Sequence, residues 1–349
     1  MTPPSLPLFS NAVNLQMFRV HSEDSQLLSL FVFPTLTSFE LSMESPEEFW
    51  ALYLLDFLEA SPMLQVGRMK IDGAIFFDGV PQERVVVLPD VESLSLVMSD
   101  GRSRYNLAVH ISCPSAKYTS LTHEYTKKDD TMIPRLFPAL VSWNAIVRQY
   151  TRSPVEEIAL EMKLPSNFTI ECSLEFRSPD ATVIRLHHVL AHEDYGDDLF
   201  WEVFSQVCRT IRDLTPPTKI KRLRVGHISL SGYRLHPTGT INEVVKLFRC
   251  VGPLEELIFH HCDMEAYLAP LSDYKNPVVF PPTKELTISH PLCPFEFEAA
   301  IVRLAESQHA LGVPFERVTV RMDCLPAEMA ERLRPWVGAV HCYNEVEST

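Results

Sequence analysis

A triplet of apolar residues at relative positions 1, 4 and 6 recurs along this chain, and it constrains the fold more than any other feature. Leu15, Phe18, Val20 is the first copy, and Leu36, Phe39, Leu41 the second. Val91, Leu94, Leu96 and Val155, Ile158, Leu160 follow. Later copies are Ile220, Leu223, Val225; Leu254, Leu257, Phe259; and Phe315, Val318, Val320. Leu286 with Ile288 behind Thr283, and Val337, Val340, Cys342, are weaker copies, and Leu64, Gly67, Met69 is degraded by its central glycine. Positions 4 and 6 are two residues apart and share one face of a short strand, while position 1 turns the chain into it. First positions are separated by 21, 28 and 27 residues early and by 34, 29, 32 and 22 late. That is the length of one strand and one return helix, and no such unit buries its apolar face alone. The expected fold is α/β: one irregular solenoid of strand–helix repeats over residues 1–349, with a parallel sheet inside and helices outside.

The returns read as helices. Ser45-Pro46-Glu47-Glu48 forms a capping box with proline at the first helical position, ahead of Trp50, Leu54, Phe57 and Leu58 on one face. Further apolar stripes run through Phe200, Val207 and Ile211; Ile241 and Phe248; Phe297, Ile301 and Leu304; and Met329, Leu333 and Trp336. Repeats thus fill 1–150 and 196–349, and an irregular insert occupies 151–195. Phe168, Ile170, Cys172, Leu174 and Phe176 alternate with polar residues, Arg177 to Asp180 make a turn, and Val183 to Leu186 return. This is a β-hairpin near 165–190.

Leu254-x-x-Leu257-x-Phe259-x-x-Cys262 resembles the leucine-rich-repeat consensus at all four marked positions, with Asp72, Ser99 and Asp323 as polar stand-ins at the ninth position elsewhere. The segments 114–121, 149–157 and 178–182 resemble the leucine-rich-repeat regions of basidiomycete fungal F-box proteins, and the likeness covers nearly the whole chain. The resemblance implies a part in choosing substrates for a cullin-type ubiquitin ligase. The helical LPxE-type F-box has no counterpart in the dozen or so residues before the first repeat. A contact with the ligase adaptor is therefore expected only if an F-box is supplied elsewhere.

Composition narrows the function classes. A formal charge of −14 disfavours nucleic acid and anionic membranes as partners. The longest apolar runs, such as Leu27 to Phe33, are far short of a membrane span, and MTPPSLPLF has neither the basic nor the long apolar region of a signal peptide. The eight cysteines show no CxxC. The expected location is cytoplasmic or nuclear. Only 11 glycines are present, and neither GxSxG nor GxxxxGK[ST] occurs, so no nucleophile elbow or phosphate loop is expected. No cofactor is expected, and the four tryptophans read as core residues of helical stretches.

Two histidine-rich stretches are candidate metal ligands. His260-His261-Cys262-Asp263 places His260 on the concave face and Cys262 at the structural ninth position. His188-x3-His192, beside His187 and Glu193-Asp194, would hold a metal if helical, but HExxH is absent. The first has no second cluster at matching spacing, and the His187-His188 pair reads as a strand end and loop. The remaining candidate is the concave face, where positions 3, 5 and 7 point away from the helices. Its candidate binding residues are Arg19, Arg68, Lys70, Glu157, Glu161, Arg222, Arg224, Glu256, His260, Arg317 and Arg321. Charges of alternating sign suit a polypeptide of mixed charge. Three readings stand open: a protein-interaction module that is not an enzyme, a metal-dependent enzyme around His187, His188 and His192, or a gene fragment without a function of its own.

Overall fold

In the computed structural model the described residues are 15–44, 49–73, 75–98, 107–126, 154–166, 169–191, 207, 211, 220–226, 248, 251–260, 280–289, 294–322 and 328–344. The first strands are β1 (Met17–Ser22), β2 (Ser38–Glu44), β3 (Phe49–Trp50), β4 (Val66–Asp72), β5 (Ile75–Phe76) and β6 (Val86–Val87). Next come β7 (Ser93–Met98), β8 (Ile111–Ser112), β9 (Tyr118–Thr126), β10 (Glu157–Ser166), β11 (Thr169–Arg177) and β12 (Val183–Ala191). The last are β13 (Arg222–Gly226), β14 (Leu254–His260), β15 (Thr283–Ser289), β16 (Arg317–Met322) and β17 (Ala339–Asn344). Helices α1 (Ala51–Glu59), α2 (Pro294–Ala310) and α3 (Met329–Leu333) accompany them. The chain is α/β, with a large, mostly parallel sheet of 13 strands and few helices among the described residues. It divides into two compact units, Met1–Ser153 with Ser178–His192, and Pro154–Arg177 with Glu193–Thr349.

In the first unit β1, β2, β4, β7, β9 and β12 lie side by side in that order, all parallel. The register sets Phe18, Phe39, Gly67, Leu94, Thr119 and Ile184 in one row. Val20, Leu41, Met69, Leu96, Leu121 and Leu186 form the next row. The triplets of the sequence are therefore cross-strand neighbours. A copy that hydropathy alone missed is Ala116, Thr119, Leu121, where Thr119 fills a central position at 1% exposure. The backbone repeats as well. The position-2 carbonyl of each repeat accepts two N–H groups from the next: Gln16 from Thr37 and Ser38, Thr37 from Gln65 and Val66, Gln65 from Glu92 and Ser93, Glu92 from Lys117 and Tyr118. This shared acceptor pins each strand's start to its neighbour, as buried backbone groups require.

Helix α1 begins later than its capping box implies. Ser45 to Glu48 lie outside the described residues, and Trp50 is an extended N-cap residue whose side chain caps nothing. Phe49 and Trp50 instead pair in parallel with Ile75 and Phe76, and the Trp50 and Phe76 rings lie 5.5 Å apart. Leu54, Leu55, Phe57 and Leu58 are buried, and Phe57 rests on Phe39 at a ring separation of 4.5 Å. On the outer side of α1, Arg84 bonds Asp56 and Glu59, each at 2.7 Å. The Arg84 carbonyl lies 2.8 Å from Nδ1 of buried His110.

In the second unit the order is β11, β10, β13, β14, β15, β16, β17. Strands β13 to β17 run parallel to β10 and to one another. Ile158, Leu223, Leu257, Leu286, Val318 and Val340 form one row, and Leu160, Val225, Phe259, Ile288, Val320 and Cys342 the other. Both strands of the expected hairpin form, with the turn at 178–182 where Ala181 takes a left-handed φ of 64°. The sequence reading did not anticipate that β11 runs antiparallel to β10, or that β12 joins the first unit through β9. Helix α2 buries Ala300, Ile301, Leu304 and Ala305, and ends at Gly312 (φ 76°). There the Val313 N–H reaches the Gln308 carbonyl and the Gly312 N–H the His309 carbonyl, a glycine-terminated helix end with Pro314 just beyond. Val207, Ile211 and Phe248, from the two other expected helices, are helical and buried. Trp336 belongs to the turn after α3, not to the helix, and packs on His309 at 5.7 Å.

Candidate functional site

Period-2 alternation leaves positions 3, 5 and 7 on the face opposite the buried rows. In the first unit this face carries Arg19, Glu40 and Arg68 along position 5, followed by Ser95, Ser120 and Arg185. Position 7 carries His21, Ser42, Lys70, Val97, Thr122 and His187. Arg19 and Glu40 form an ion pair at 2.6 Å. Glu40 is thereby engaged on the side away from its other neighbour, Arg68. Arg68 and Lys70 are both exposed and have no ion-pair partner among the described residues.

In the second unit the expected alternation of sign is present, and much of it is satisfied internally. Arg222 lies 3.7 Å from Glu256 and Arg317 3.4 Å from Glu285, each across one strand step. Glu161 pairs with Lys163 at 2.9 Å on its own strand. Glu157 faces Arg222 on one side and Arg177 on the other. Arg224 is exposed between Ala159 and Ile258, without an ion-pair partner among the described residues. His260 is half-buried at the end of β14, and Arg321 lies 5.7 Å over the Tyr343 ring. Sequence reasoning missed one charged row altogether. At position 2, Lys221 donates to Glu156 at 2.7 Å, and this bond is the main reason its amine is held above the usual lysine range. The signal was present as Glu156, Lys221, Glu255, Lys284 and Glu316 at the residue after each triplet start.

Each of the two histidine-rich stretches lies only partly within the described residues. Residues 183–191 are strand β12, so the helix that a His-x3-His metal pair would need is not formed up to Ala191. His192, Glu193 and Asp194 lie outside the described residues, as do His261, Cys262 and Asp263. Among the described residues no group of three or more His, Cys, Asp or Glu side chains converges as a metal set. Cys113 and Cys172 are buried, and burial pushes both thiols up to about 12. No described helix is long and apolar enough to cross a membrane. No protein-family model matches the chain, and no curated protein matches it.

Proposed function

We propose that this protein is an interaction module: an irregular leucine-rich-repeat-like solenoid, helices outside, that docks another protein on the exposed face of its sheet. The observation that carries this reading is the separation of the two faces. One is a continuous apolar ladder, while the other presents charged and hydroxyl side chains in rows fixed by a parallel register. Regular rows on a rigid sheet form a preorganised surface, which lowers the ordering cost of binding. The resemblance to fungal F-box repeats makes substrate selection for a ubiquitin ligase the expected setting, with an adaptor contact only if an F-box is supplied elsewhere.

Affinity purification of the full chain with Arg222→Glu and Arg224→Glu tests it. A matched control reverses Arg303 on α2. Proteins retained by the wild type and the control but lost by the double variant, with unchanged circular dichroism, support docking on the face. Identical sets from these three baits and from a fourth that carries Ser95→Trp with Thr122→Trp refute it.

A further inference from the structure

The first unit narrows the kind of partner, and this step rests on the docking role given above. Strands β7 and β9 form a strip two strands wide whose outward positions are half-buried and mostly small and hydroxylated: Ser93, Ser95, Ser120 and Thr122, with Val97 and Tyr118 among them. Beside it, on β4, stand Arg68 and Lys70, two exposed cations on one face, roughly 6.6 Å apart along the strand. Beyond the strip, Arg185 on β12 adds positive charge, although it also has a partner within the protein. β4 and β12 are three strand steps apart, about 14 Å, so the strip is the width of one extended peptide with its side chains.

The charges here differ from most of those elsewhere on the exposed face, Arg224 being an exception among the described residues. Arg19, Arg222 and Arg317 each have a carboxylate one strand away, within 4 Å, which neutralises them locally. At Arg68 the neighbouring Glu40 is taken by Arg19, and the other neighbour is Ser95. At Lys70 the neighbours are Ser42 and Val97. Asp72 on β4 and Glu124 on β9 follow two residues beyond Lys70 and Thr122 and bound the two cations with acid at that end. In a chain of net charge −14, two adjacent cations without an ion-pair partner among the described residues form a local exception.

We infer that this strip binds an extended acidic segment of a partner protein. Carboxylates at residues i and i+2 of an extended chain are also roughly 6.6 Å apart, so a Glu-x-Glu or Asp-x-Asp run lying along β4 meets Arg68 and Lys70 together. The serine and threonine hydroxyls donate to its backbone carbonyls or remaining carboxylates. The contact is electrostatic and open to solvent, so it weakens with salt.

Fluorescence anisotropy on the full chain tests this with a labelled dodecapeptide of alternating Glu and Ser, compared with alternating Lys and Ser and with a twelve-nucleotide oligothymidine. The Glu peptide should bind, weaken at least tenfold with Arg68→Glu and Lys70→Glu together, and keep its affinity with Arg224→Glu. A bulky variant, Ser95→Trp with Thr122→Trp, separates the two levels of inference. If the Trp pair abolishes peptide binding while the charge reversal leaves it intact, the face binds but these cations do not select the partner, and the inference falls alone. If neither variant changes peptide binding, the peptide sits elsewhere and the inference falls, while docking on the face is judged by the purification baits. No detectable binding of the Glu peptide, or tighter binding of the oligonucleotide, also overturns the acidic-segment assignment.

Discussion

Leu257→Ala tests the ladder at its most confined point. Leu257 is fully buried in β14, with Leu223 in register on one side and Leu286 on the other, both also fully buried. Losing three carbons removes about 2.4 kcal/mol of transfer free energy, at about 0.8 kcal/mol per methylene. The cavity adds about 24 cal/mol for each Å³ left open, and paired strands on both sides restrict its collapse. The expected total is about 3–5 kcal/mol, the upper part of the range for buried leucines. With a urea slope of about 3 kcal/mol per molar, the midpoint falls by about 1–1.7 M. Ile258→Ala is the internal control, because Ile258 adjoins Leu257 but lies half-buried on the opposite face. It should cost less than about 1 kcal/mol. Urea titrations followed by circular dichroism compare the two, and equal shifts would show that the faces have been assigned wrongly.

Gly338→Ala should destabilise the last repeat, because a Cβ there would stand 2.8 Å from the Glu316 carbonyl oxygen, and backbone cannot swing away; faster proteolysis near β17 is the readout. Ala181→Gly should leave stability unchanged or raise it by up to about 1 kcal/mol, since a left-handed alanine is strained, and a clear loss in the urea midpoint would contradict the turn geometry. Of Cys113, Cys172 and Cys342, only Cys342 should be alkylated in the folded chain at pH 8, with the other two labelled once urea unfolds it, as peptide mass spectrometry will show. The buried thiols keep their protons to about 12, whereas unfolded ones ionise near 9.0, so their contribution is complete below pH 9 and declines from there towards 12. Cys172→Ala should therefore flatten the fall of the urea midpoint between pH 9 and 11.

The rows of the fold were legible because burial at positions 4 and 6 leaves an apolar signature whatever the return between strands looks like. Even Gly67 kept its place: a Cβ there would come within 3.2 Å of a Leu94 methyl. Thr119 was invisible for the opposite reason, since a polar residue in a fully buried slot breaks the hydropathy pattern that reveals its neighbours. The start of α1 misled because a capping box records local preference, while Phe49 and Trp50 are held extended by pairing with Ile75 and Phe76. The end of α2 could have been read from Gly312 and Pro314. Of the candidate face, the side to which each charged residue points follows from period 2 alone. Which cations lack a carboxylate does not, because Glu40 has Arg19 on one side and Arg68 on the other and the sequence does not say which it serves.

The position-2 row of the second unit, Glu156, Lys221, Glu255, Lys284 and Glu316, also bears on how such a protein can lengthen. Duplicating a single repeat would set glutamate beside glutamate or lysine beside lysine across one strand step, where like charges repel. Duplicating two adjacent repeats preserves the alternation. Growth of this unit is thus electrostatically easiest in increments of two, and homologues of different length should differ by even numbers of repeats there.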